Sequence, residues 1–443
     1  MDSPEIGDPP APGTGQHART VVRGPWPVFA SLSFPDYRLL WVCVAAANSG
    51  RWILALGVGW LLFSLTHSSF WVGASFFTIQ GPALIVAPLA GVWADRHDRR
   101  HLLAFALALA AAATGTLAVL TLLHHAGVLS ILACTLTCGI ALSIRGTAGS
   151  SLVPALVPRD TLPNAVALQG TVQQGAEFIG PLLASPLLVA FGPGAVFGLA
   201  CLCYAAAIPL SLRIAPRQLP RRFATRYAFG PLLEGVRYLR RSPLLGSIVL
   251  LVGFHCSLTM TYQGMLPQFT QGMMDGGGAY GGTMTMIGLG AIAGTLALAA
   301  VSDRRWHSTG YAVTAVASGG MLVLLGLTSN YLVAFALSFA VGAAQATLMA
   351  LSLTFLQQLT DPAYLGRVTG VYSFLAGGAM AFTSWGFGAL AAITSPTAIM
   401  VGAGSAFVLV VAVAALRSPA FRRLCRADAL PLHVPEYGVS ALV

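Results

Sequence analysis

From residue 37 to residue 416 the chain is a succession of long apolar runs, each closed by a short cluster of Arg, Asp, Pro or Gly. A bilayer-crossing helix needs about 20 predominantly apolar residues, and at that length the runs divide into twelve. The pattern predicts spans over 37–63, 70–93, 101–123, 128–149, 165–190 and 194–213, then over 244–271, 279–301, 308–327, 331–356, 364–393 and 396–416. Two interruptions stand out. The first is GVWADRHDRR, Gly91 to Arg100, whose charges cannot lie in hydrocarbon and so predict a tight turn at a membrane surface. The second, Ile214 to Pro243, separates the first six spans from the last six. Within it Leu232, Leu233, Val236 and Leu239 recur among Arg residues, a spacing that predicts a short amphipathic helix on an anionic inner leaflet. The predicted fold is an all-α polytopic membrane protein. It has a disordered tail (1–35), a six-helix half (36–213), a connecting loop (214–243), a second six-helix half (244–416) and a closing tail (417–443).

Composition strengthens this reading. Hydrophobic residues make up 56% of the 443 and charged ones 9%, where a soluble domain carries about 25% charged. The net charge of +10 could suggest nucleic acid, but its placement argues otherwise. Every basic residue is Arg, and all except Arg51 fall in the tails or in alternate loops, with Arg145 and Arg159 assigned to the fourth-to-fifth connection. The opposite loops hold no Arg. The positive-inside rule then places both termini on the cytoplasmic side, and the Lys-free composition, rich in Ala, Arg and Gly, suggests a high-GC bacterium and so its plasma membrane. The seven Cys form no metal-ligand pattern, since Cys134 and Cys138 have no second soft-ligand pair. No metal, cofactor or nucleic acid is expected.

The two halves echo each other. VSDRRW, with Asp303, Arg304 and Arg305, takes the place in the second half that WADRHDRR holds in the first. VPRDTLPNAVAL from Val157 corresponds to TDPAYLGRVTGV from Thr360 at a nearly equal offset, as parallel repeats require. The pattern Gly91-x-x-x-Asp95-Arg96-x-Asp98-Arg99-Arg100 resembles the signature loop of the major facilitator superfamily. YRLLW at Tyr37, LVPALVP at Leu152, Gly180-Pro181, EGVRYLRRSPLL at Glu234 and LGRVTGVYS at Leu365 are similar to its bacterial exporter branch, which includes the enterobactin exporter and macrolide efflux proteins. The resemblance, over roughly residues 30–420, implies a rocking secondary transporter, a monomer moving a small molecule outward against protons. At the signature, Gly91 has no side chain to hold neighbouring backbones apart. Asp95 is expected to face the N-terminus of the eleventh helix near Tyr364, where the helix dipole favours a carboxylate, and so to latch the cytoplasmic side. The Arg residues can pair with Asp98, Asp95 or lipid headgroups.

Two ionisable residues fall deep inside predicted spans and are functional candidates on that ground. Arg51 and Glu177 lie about 22 and 20 Å from the cytoplasmic surface at about 1.5 Å per residue, which predicts an ion pair near mid-membrane. The pair could be structural or could carry protons. His255 is the one His well inside a span and reads first as a hydrogen-bonded core residue. Asn48, Trp52, Gln80, Gln173, Tyr262, Gln263, Gln345, Tyr372 and Trp385 are further polar or aromatic residues in central helices. With Arg51 as the one buried cation, this lining suits an amphipathic organic molecule and disfavours a strongly anionic one. An importer, or a receptor without transport, would share these features. Enzyme motifs such as HExxH, a P-loop or Gly-x-Ser-x-Gly are absent from the sequence.

Overall fold

The computed structural model describes residues 27–215, 230–273, 277–300 and 304–425. Twelve helices among them are long and apolar enough to cross a membrane. They are α1 (Pro35–Thr66), α2 (Ser69–Ala94), α3 (Arg99–Leu122), α4 (Val128–Leu156), α5 (Leu162–Phe191), α6 (Pro193–Leu212), α7 (Pro243–Gly264), α8 (Gly277–Ala300), α9 (Ser308–Leu327), α10 (Tyr331–Leu359), α11 (Leu365–Ile393) and α12 (Pro396–Arg417). Helices are the form such apolar runs must take, because hydrocarbon offers no partner to a backbone N–H or C=O. Polar residues mark their starts. Ser68, Asp98, Asn330 and Ser395 each accept a hydrogen bond from a backbone N–H in the first turn, which satisfies groups the helix cannot.

An even number of crossings puts the start of α1 and the end of α12 on one face, here the terminal face. The opposite face is the far face. On the far side one apolar cluster runs through both halves, from Ile53, Leu56 and Phe197 to Tyr262, Tyr280 and Met400. Toward the terminal face the halves keep separate cores. One gathers Tyr37, Leu103, Leu152 and Tyr204, another Ile248, Tyr311, Phe355 and Phe407. The halves are therefore joined at the far face and parted at the terminal one.

Small residues make the far-side junction. A Cβ built on Gly388 of α11 would stand 2.5 Å from the Ser69 carbonyl oxygen of α2, and one on Gly288 of α8 2.5 Å from Phe178 Cα of α5. Gly73 meets Ser384, and Gly281 meets Ser185, in the same two helix pairs. Such approaches are available only without a side chain. Gly91, expected to make one, has nothing within 4 Å of its Cβ position. The close approach at the signature is absent because the terminal side is open.

Two spans are not straight. In α2 the helix stops at Gln80 and restarts at Ala83, across Gly81-Pro82. Expected as one run over 244–271, the seventh span ends its α-helix at Leu258, passes through a tight turn of 3-10 helix at Thr261–Gly264 and resumes over Leu266–Gln271. The polar run from Ser257 to Gln263 offers the backbone competing side-chain bonds, and Pro267 lacks the N–H needed to continue.

The ends are more ordered than expected. Pro27–Ser33 forms a 3-10 helix inside the tail predicted as disordered, and Ser31 Oγ donates to Asn164 Oδ1 at 2.6 Å. Pro419–Cys425 is helical at the start of the closing tail, with Phe421 and Leu424 buried. The connector carries the expected amphipathic helix at Gly230–Arg241.

Candidate functional site

A cavity of about 450 Å³ lies between the halves. Arg51 and Trp52 of α1, Gln80 of α2, and Gln173, Gln174 and Glu177 of α5 line one wall. The other is formed by Gln263 at the α7 break and Gln345 of α10, with Met260, Met349 and Met380 as a soft apolar surface. Gly180 brings the first wall together. Its missing side chain lets α5 lie against α1, with a Cβ position 2.6 Å from Trp52 Cβ, one turn from Glu177.

Arg51 Nη2 donates to Gln80 Oε1 at 3.0 Å, and its guanidinium lies over the Trp52 ring, 5.5 Å from the centroid. Glu177 is close enough to attract it. The two form no direct ion pair, however, and the amide of Gln80 takes the place expected for the carboxylate. Trp52 Nε1 and Gln263 Oε1 are buried polar atoms without a protein partner. A donor and an acceptor thus stand ready on opposite walls.

Sequence reasoning missed Arg145. The fourth span runs on to Leu156 rather than stopping at residue 149, which carries Arg145 into the membrane instead of the loop where it was expected. Its Nη2 donates to Asn48 Oδ1 at 2.9 Å, and Asn48 stands one helical turn from Arg51 on the same face of α1. The unusual Asn in an apolar helix was the available signal for an embedded partner.

At the α7 break, Thr259 Oγ1 bonds His255 Nδ1 at 2.6 Å, Ser318 Oγ reaches the same nitrogen at 3.2 Å, and Gln345 Nε2 donates to the Thr259 carbonyl at 2.5 Å. His255 is thus a buried core residue of the second half, linked to the cavity through Gln345 and not lining it. Tyr262 is buried in the apolar cluster shared by the two halves. The Tyr372 hydroxyl lies 3.7 Å from Met349 Sδ, behind the cavity wall. Trp385 is 43% exposed and packs on Phe70 and Phe77 at the outer edge of the α2–α11 junction. Asn48, His255, Tyr262, Tyr372 and Trp385 are therefore outside the lining, while Arg51, Trp52, Gln80, Gln173, Glu177, Gln263 and Gln345 are in it.

At the terminal face Asp98 caps α3 through the Arg100 N–H at 3.0 Å and pairs with Arg100 Nε at 2.8 Å. Arg99 Nη1 donates to the Ser151 carbonyl of α4 at 2.8 Å, tying the signature loop to the neighbouring helix. Asp95 and Arg96 follow the α2 span in the same helical segment, Ala83–Arg96, which Arg96 ends. The N-terminus of α11, where the latch was expected, is covered by the connector helix. Glu234 pairs with Arg367 at 3.0 Å, and Tyr238 stacks on Tyr364 at 4.6 Å. Of the echo in the second half, Asp303 lies outside the described residues, and Arg304 and Arg305 open the helix that continues as α9.

The sequence profile of the transmembrane secretion effector family matches residues 27–441. The chain belongs to that family, within the major facilitator superfamily. The enterobactin exporter EntS of Shigella boydii serotype 18 is 27% identical to it over 346 residues, 76% of this chain and 81% of that protein, and an Escherichia coli EntS is similar to the same extent. Among solved structures, the nucleoside transporter NupG superposes with a TM-score of 0.66 at 13% identity, covering 88% of this chain and 99% of that one. The human organic anion transporter MFSD10 gives 0.61 at 17% identity, with 88% and 98% covered. Identities this low carry the fold alone. The family membership makes the protein a membrane transporter of the major facilitator type.

Proposed function

We propose that this protein is a proton-driven exporter of a small amphipathic organic molecule from the cytoplasm. The observation that carries the reading is the cavity between the halves, closed on the far side by the α2–α11 and α5–α8 junctions and parted toward the terminal face. Alternating access needs such an arrangement, because rocking the halves about the cavity exposes it to each side in turn. The Arg-rich loops favour a cytoplasmic terminal face, and in this reading the cavity opens where an exporter collects its cargo. Amides, Trp52 and three Met side chains suit an amphipathic guest. Likeness to an enterobactin exporter favours the outward direction.

Glu177 is the proton carrier in this reading. It is the one carboxylate among the cavity-lining residues, and Arg51 is near enough to attract it while it is charged, until cargo or rocking alters their separation. Inside-out vesicles containing the protein test the reading with a panel of fluorescent amphiphiles. Accumulation that rises with an imposed pH gradient and collapses with an uncoupler is expected. Equal accumulation with and without the gradient would remove the proton from the scheme, and none for any compound would remove the transporter.

A further inference from the structure

We propose that the cargo carries an acidic group and that Arg51 and Arg145 form its receptor. This rests on the transport reading above and specifies the chemistry of that site.

Two guanidiniums are embedded here, not one. From the ends of their spans, Pro35 and Leu156, Arg51 lies about 24 Å and Arg145 about 16 Å from the terminal face at about 1.5 Å per residue. They belong to adjoining helices, and the chain Arg145–Asn48–(one turn)–Arg51–Gln80 links them along one face of α1. They are close enough to repel each other. Guanidinium stays charged in proteins, so the positive charge cannot be relieved by losing a proton.

Among the described residues there is too little negative charge nearby to balance them. Among the described residues neither guanidinium has a carboxylate within 4.0 Å, and both are held by neutral side-chain amides. Glu177 lines the same cavity as Arg51, while the side chain that holds Arg145 is the neutral amide of Asn48. An amide orients a cation without neutralising it, and an embedded charge lacking a counter-charge is expensive. Arg145 Nε is moreover buried and unpartnered, as is the Trp52 indole N–H beside Arg51. Arg51, Glu177 and the idle Trp52 donor line one wall of the cavity, across from Gln263, Gln345 and three Met side chains, and Arg145 with its own idle Nε stands behind that wall through Asn48. The missing component is an anion attached to an apolar body: a carboxylate, phenolate, sulfonate or phosphate on an amphiphile. Guanidinium suits this role because its fork of N–H donors matches planar oxyanions.

The test is equilibrium binding to the purified full chain in lipid nanodiscs, with empty nanodiscs as the blank. Three probes share one dansylaminoundecanoyl scaffold and end in a carboxylate, a primary amide or a trimethylammonium group. The carboxylate is expected to bind at least about tenfold tighter than the amide, as one charge-assisted hydrogen bond provides, and the ammonium weakest. In Arg145→Met the carboxylate should lose about tenfold while the amide stays within about twofold; Arg145→Lys should retain part of the preference. Each comparison is made within one protein preparation, so a loss of folded protein cannot imitate it, and the native protein alone decides the question if a variant does not fold. Equal binding of carboxylate and amide to the native protein overturns the inference, as does a parallel loss of both in Arg145→Met. Binding and flux fail separately. Gradient-driven flux without charge discrimination sinks only this inference, whereas discrimination without flux would leave the anion site and sink the transport reading.

Discussion

Substituting Gly288 by Ala should move the protein away from the conformation described here. A Cβ at this position would lie 2.5 Å from both the Glu177 carbonyl oxygen and Phe178 Cα, and 2.6 Å from Phe178 N. These are backbone atoms of α5 and cannot rotate away. Carbon atoms in ordinary contact are about 3.5–4.0 Å apart, so α5 and α8 must separate by about 1 Å or the far-side junction must open. Overpacking of this kind costs about 1–3 kcal/mol. Applied to one of two conformations, it shifts their ratio by about 5- to 150-fold. Gly91→Ala is the counterpart. Its Cβ meets open space here, so any penalty falls on the conformation in which the terminal side closes. Spin labels at the exposed positions His97 and Ala363, in a background with the native Cys replaced, report the opening between the halves by pulsed electron resonance. Gly288→Ala should shorten the dominant distance and Gly91→Ala should preserve or lengthen it. An unchanged distribution in Gly288→Ala, or the same shift in both variants, would refute the reasoning.

Three further outcomes follow from named contacts. Asn48→Leu removes the amide that holds Arg145 and should lower stability by about 1.5–3 kcal/mol, the range for a hydrogen bond to a charged group, read as a fall in Tm of the detergent-solubilised protein; Asn48→Ser should be milder. Ser31→Ala loses the partly buried bond to Asn164, about 1 kcal/mol, and should speed proteolysis near Pro27 without changing global Tm. Glu234→Ala breaks a partly exposed pair with Arg367 and should cost no more than about 1 kcal/mol, whereas Tyr238→Ala removes the stack on Tyr364 as well and should accelerate hydrogen exchange in the connector helix more strongly.

The fold could be read from the chain because its signal is a matter of length and hydropathy. Every predicted span has its helix, and the connector helix appears where Leu and Arg alternate at helical spacing. The departures share one cause: tertiary contacts override local pattern. Arg145 looks like the edge of a loop because a charge ordinarily ends an apolar run, and only Asn48, distant in sequence, shows why it can remain inside. The seventh span looks continuous because its polar run has no charge, yet those hydroxyls and Gln345 compete for the backbone and break the helix. Gly91 is a packing glycine by pattern and an unpacked one in this conformation. Periodicity does not encode which of two states a junction occupies. The cavity was partly legible. The amides and Trp52 on facing helices were identified, but His255 and Tyr372 stand behind the lining, in contact with Thr259 and Met349, and sequence spacing does not fix the rotation of a helix that polar contacts hold on both sides.

The central claim is that the cavity carries cargo by secondary transport, and purified protein in liposomes tests it most directly. With no ATP and no other protein present, an imposed pH gradient should drive accumulation of a fluorescent amphiphile in liposomes containing the native chain, and Glu177→Gln should lose the gradient dependence. Flux that matches protein-free liposomes, or that ignores the gradient in the native protein, would contradict the account.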